Sequence, residues 1–132
     1  MATTTAQLQF NAPEFTGGSN FVVSSTLFKA GTSTGIDQFT GIARVYKAAA
    51  TADIEIVAAA DYADNKAHKL YVRNTSTTAD DTYLLVEVGG NEPIGRLYPE
   101  DWMFIPVDGT ENIKVTTSDP TMSFEWGLFH EG

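Results

Sequence analysis

Between residues 69 and 129 the chain alternates apolar and polar side chains in short runs at 69–74, 82–88, 102–107, 112–117 and 122–129. A period of two sends successive side chains to opposite faces, so each run reads as a β-strand. Leu70 and Val72, then Leu84, Val86 and Val88, then Ile113 and Val115, share faces that point to a core. So do Met122, Phe124, Trp126 and Leu128 in the last run. Tyr83 and Leu85 make the second face of run 82–88 apolar as well, which predicts a central strand. Pro106 cannot donate to a ladder, and Pro93 and Pro99 flank 94–99. Both stretches are therefore expected at sheet edges or bulges.

The punctuation between the runs is equally regular. Gly89-Gly90-Asn91-Glu92-Pro93 predicts a turn, and Asp119-Pro120 predicts the last one. Asp108-Gly109-Thr110-Glu111 reads as a hairpin, with Gly109 free to take positive φ. The polar stretch 74–81 has no apolar anchor and is expected on the surface.

The first half is less regular. Leu8 and Phe10 stand at strand spacing in a polar, Thr-rich opening, and Phe15 is the remaining large apolar side chain there. Residues 1–18 are expected to form an extended N-terminal arm with one short strand, ahead of a β-sandwich domain over 19–132. Residues 20–29 and 41–47 read as strands, with a small-polar loop at 30–35. Asp53-Ile54-Glu55-Ile56-Val57 alternates cleanly, while the alanines at 48–50 and 58–60 carry helix propensity; strand is favoured over helix across 51–60. A loop or a single helical turn is expected at 61–66. The chain as a whole predicts an all-β fold, a single β-sandwich of the jelly-roll or immunoglobulin-like kind.

At 132 residues the chain is one domain, large enough to bury a core without cross-links, and it has no cysteine to make one. No apolar run is long enough to span a bilayer. The opening lacks the basic and apolar segments of a secretory signal, so synthesis and at least initial use in the cytoplasm are expected. The net charge of −9 is uneven: residues 1–66 hold four basic and six acidic groups, residues 67–132 four basic and eleven acidic. Nucleic-acid binding needs clustered Lys and Arg, so no nucleic-acid partner is expected.

Candidate chemistry is sparse. His68 and His130 stand alone, without metal-ligand spacing, and both are expected at the surface. No Gly-x-Ser-x-Gly elbow or phosphate-cradling glycine run occurs. Asp61, Asp64 and Asn65, and separately Asp80 and Asp81, are oxygen ligands of the type calcium uses, but without a calcium-loop spacing. No enzyme activity, cofactor or metal is expected. Tyr98, Trp102 and Phe104 cluster around two prolines; exposed, they would form a sugar-stacking or protein-docking patch.

The run Leu70-Tyr71-Val72-Arg73-Asn74-Thr75-Ser76 and its sequel Leu84-Leu85-Val86-Glu87-Val88 resemble small virion proteins of tailed bacteriophages. So do Arg96-Leu97-Tyr98-Pro99-Glu100-Asp101, Phe104-Ile105-Pro106-Val107-Asp108-Gly109 and Asn112-Ile113-Lys114-Val115. The shared pattern is an Asn-Thr-Ser corner, a Leu-x-Pro-Gly-acidic turn, a strand closing on Ile-Pro and an x-Ile-x-Val strand. Glu100 stands where that pattern has glycine. The likeness spans residues 67–129. It implies a virion protein, assembled in the host cytoplasm, that decorates or cements a phage head or sits in the neck, tail or fibre; the head decoration reading is preferred, with the major capsid protein or another virion protein as partner. A homo-oligomer, dimer or trimer, would follow from capsid symmetry. Leu8, Phe10 and Phe15 of the arm, with Tyr98 and Trp102, are the expected partner-binding residues. A tail or fibre module that binds a host glycan is the alternative.

Overall fold

The structure, a computed structural model, describes residues 3–12, 19–77 and 81–131. It is all-β, with eleven strands among the described residues: β1 (Thr4–Ala12), β2 (Ser19–Leu27), β3 (Gln38–Phe39), β4 (Ala43–Lys47), β5 (Ile54–Val57), β6 (His68–Asn74), β7 (Leu84–Val88), β8 (Glu92–Leu97), β9 (Trp102–Val107), β10 (Ile113–Thr117) and β11 (Met122–His130). One sheet has the order β5-β10-β7-β8 and another β3-β11-β6-β9, with β4 also paired to β11; every pairing is antiparallel.

Alternation explains the sandwich. Leu70, Val72 and Phe124 from one sheet meet Leu84, Val86, Ile113 and Val115 from the other, and all seven are buried. Burying side chains of this size stabilises by about 1.5–3 kcal/mol each, so this strip is the main source of stability. Met122 and Leu128 join it, whereas Trp126, expected in the same row, is only half-buried. As the sequence predicts, β7 is central, and β8 and β9, which carry Pro93 and Pro106, each end a sheet. The alternating Ile54–Val57 is a strand, and the alanine-rich stretch after it makes only a 3-10 turn, Ala59–Asp61.

Three expectations fail for identifiable reasons. Asp108-Gly109 is not a hairpin, because β9 and β10 belong to opposite sheets and the turn carries the chain across the sandwich. Gly109 does not use positive φ; it is needed because a Cβ there would collide with the Ala63 carbonyl and lie 2.7 Å from the Tyr62 carbonyl oxygen. His68 is buried, not exposed: its Nε2 sits 3.0 Å from the Ala63 carbonyl and its ring packs edgewise on Tyr62. His130 is half-buried beside the same tyrosine.

The stretch after β6 is not a simple surface loop either. Asn74 and Ser76 are buried, while residues 78–80, including Asp80 of the calcium-type pair, lie outside the described residues. The Asn74 Nδ2 donates to the Leu97 carbonyl at 2.9 Å and its Oδ1 accepts from the Ser76 amide at 2.9 Å. Its backbone clamps the turn before β9, through Asn74 N–H to Asp101 O and Glu100 N–H to Asn74 O. In that turn Asp101 N–H closes on Tyr98 O at 2.9 Å, with Pro99 second and Glu100 third at φ 72°. This is a type II turn, whose third position favours glycine.

The N-terminal stretch departs most from expectation. Far from an arm with one short strand, β1 pairs with β2 along its whole nine-residue length, from Thr4↔Leu27 to Ala12↔Ser19. A boundary drawn after residue 18 would therefore separate two paired strands.

Candidate functional site

Opposed residues in an antiparallel pair share a face. In the β1–β2 hairpin one face therefore carries Ala6, Leu8, Phe10, Phe21, Val23 and Leu27, and the other Thr5, Gln7, Gln9, Asn11, Ser24 and Thr26, with Val22 its one large apolar member. At the base Leu27 is buried, and Leu8 midway is half-buried. Toward the tip Phe10 and Phe21 stack at 5.0 Å yet stay 47% and 44% exposed. The apolar face is thus covered at its base and largely open from Val23 onward.

Its lower part lies over the outer face of the β3-β11-β6-β9 sheet, across an open cleft of about 870 Å³. The hairpin wall contains Ala6, Leu8 and Val23; the sheet wall contains Tyr71, Arg73, Trp102, Phe104 and Phe129. These sheet residues are neighbours by register, since Tyr71 opposes Phe104 and Arg73 opposes Trp102. Phe129 stacks on Phe39 at 4.2 Å and meets Phe104 edge-on at 6.3 Å. Gly127 makes room for that stack, because a Cβ there would lie 2.7 Å from the Phe39 ring.

The polar groups beneath are tied together. Tyr71 Oη donates to Glu125 Oε1 at 2.7 Å, and Arg44 Nε lies 3.4 Å from Glu125 Oε2. Burial first, then the Glu125 carboxylate, pushes the Tyr71 phenol above its ordinary pKa, so it stays a neutral donor. Arg73 Nε is buried without a hydrogen-bond partner, and Glu100 stands at the rim. The result is an aromatic and aliphatic slot with one guanidinium and one carboxylate, suited to contact with a partner.

The hairpin base is pinned to the sandwich. Thr4 Oγ1 donates to Ile36 O at 2.8 Å, and Ile36 N–H to Leu27 O at 2.8 Å. Glu131 Oε2 accepts from the amides of Ala30 at 2.8 Å and Ala67 at 3.1 Å, with Lys66 3.4 Å from Oε1. The Ala30 amide foremost, helped by Ala67 and Lys66, holds the Glu131 carboxyl below its ordinary pKa.

Of the residues singled out in the sequence, Leu8 and Trp102 meet in the cleft, with Trp102 51% exposed. Phe10 lies beyond it in the stack with Phe21. Tyr98, 41% exposed, stands apart beside Tyr83 at 5.9 Å, and Arg96 covers that second ring at 4.2 Å. Phe15 lies outside the described residues. Phe21, Val23, Tyr71, Arg73 and Phe129 escaped sequence reasoning. The one available signal was the matched spacing Leu8-x-Phe10 and Phe21-x-Val23. Among the described residues no group of three or more His, Cys, Asp or Glu gathers to hold a metal, and no helix is long and apolar enough to cross a membrane. Comparison with family models, curated proteins and solved structures returns no match.

Proposed function

We propose that the protein is a structural binding module of a phage virion, a capsid decoration (cement) protein that docks on the assembled shell through its hairpin and cleft. The observation that carries this reading is the hairpin's apolar face, covered at the base and open at the Phe10–Phe21 tip. Half-exposed aromatic rings in register contribute about 1 kcal/mol or more each when a partner covers them. The phage setting rests on the resemblance of the strand corners at 67–129; Glu100, which stands where that pattern has glycine, holds a left-handed φ of 72°, a conformation that favours glycine. Binding to the shell, and not to free coat subunits, stabilises the shell by mass action and bridges neighbouring subunits.

Electron microscopy of particles carrying the chain tests the proposal. The expected result is a symmetric lattice of copies over the head, with hairpin density against coat subunits. A few copies confined to the tail would favour the second reading, a host-glycan module, for which the exposed Trp102 ring in the cleft is the supporting feature.

A further inference from the structure

The two hairpin strands contain no charged residue, in a chain with 25 charged side chains among its 132 residues and a net charge of −9. They are long and paired without a register shift, and among the described residues neither strand bonds to a third. Solvent-facing sheet edges are ordinarily blunted by Lys, Pro, bulges or short length, because bare edges pair with other chains. This hairpin uses none of these devices along β2. β1 contributes four successive residues, 5–8, to the cleft, whereas β2 contributes only Val23 and Ser25, so the outer edge of β2 faces away from the sandwich. At the middle of that edge Val22 and Val23 are 53% and 55% exposed.

We infer that β2 is a self-association edge, pairing antiparallel with β2 of a second copy about a twofold axis at Val22, so that Phe21 of each copy opposes Val23 of the other. Charge selects the occupant. Two copies approaching through their acidic bodies repel, and along β2 they can meet without like charges opposed. A basic partner would instead be drawn to the acidic body and gain nothing from an uncharged strand. A twofold perpendicular to the sheet leaves Phe21 and Val23 of both copies on one side, so two half-covered apolar faces merge into one. The strand count rises from two to four, past the size at which a sheet is only marginally stable alone.

Sedimentation velocity across a concentration series, on the full chain, tests this pairing. The wild type should run as a dimer that dissociates on dilution. Val22→Lys places like charges near the twofold on the exposed face; it should weaken the dimer about tenfold or more while leaving unchanged the thermal midpoint measured at dilutions where both proteins are monomeric. In this cysteine-free chain, Val22→Cys should give a disulfide-linked dimer on mild oxidation. A wild type that stays monomeric throughout, a V22K dimer of undiminished affinity, or a V22C chain that does not cross-link would each overturn the pairing. Shell binding is read separately: a dimer without shell affinity leaves the pairing standing, and a monomer that decorates shells removes it.

Discussion

The sandwich and the hairpin are built from the same strand alternation but finish it differently. In the sandwich each apolar face meets another, so Leu70, Val72, Phe124 and their opposites lose all contact with water. In the hairpin the strands alternate less strictly, with Val22 on the polar face and Ser25 on the apolar one, and that apolar face has only the cleft beneath it, so the aromatics toward the tip stay half-exposed. The sandwich also carries the charge, while the hairpin strands carry none. A well-patterned face left open, on two uncharged strands, is what a contact surface looks like before its partner arrives.

The contrast can be broken by mutation. The largest effect is expected from Phe124→Ala, which opens a cavity in the fully buried core and should cost about 3–5 kcal/mol in urea unfolding. Phe10→Ala, an equal truncation at the hairpin tip, should cost under about 1 kcal/mol, because its ring is already half-hydrated. Equal losses at the two sites would erase the distinction. Next comes Asn74→Ala, expected to cost about 3 kcal/mol, since it strands the Leu97 carbonyl and the Ser76 amide in a buried corner.

The join between the two regions is tested by Glu131→Gln, with an expected loss of about 1–2 kcal/mol. Because the folded carboxyl titrates below its ordinary value of 4.5, its contribution is present above that pH and disappears as pH falls through the lowered folded value. Unfolding midpoints followed from neutral to acid pH should therefore converge for wild type and E131Q. The smallest effect is a gain: Glu100→Gly relieves a left-handed backbone at φ 72° and should stabilise by about 0.5 kcal/mol.

The sandwich was legible in the sequence because alternation is local: a period of two at Leu84-x-Val86 or Ile113-x-Val115 needs no knowledge of the partner strand. What pairs with what is non-local, and there the reading stopped. Asp108-Gly109 has the chemistry of a hairpin turn, but sheet membership, fixed by the packing of β9 and β10 into opposite layers, makes it a crossing. Asn74 and His68 look like surface residues until the groups they bond, on Leu97, Ser76 and Ala63, are brought in by folding. Leu8 and Trp102 were visible as candidates from their type and neighbours. Tyr71, Arg73 and Phe129 became site residues only because the hairpin lies over the outward face of their sheet.

The most direct test of the central claim, that the hairpin is the binding element, uses Phe10→Ser/Phe21→Ser. Both rings point from the hairpin tip and neither is buried, so the sandwich should keep its thermal midpoint. Occupancy on shells stripped of the chain and then re-exposed to wild type or variant should fall to background for the variant. Wild-type occupancy by a folded F10S/F21S protein would contradict the claim.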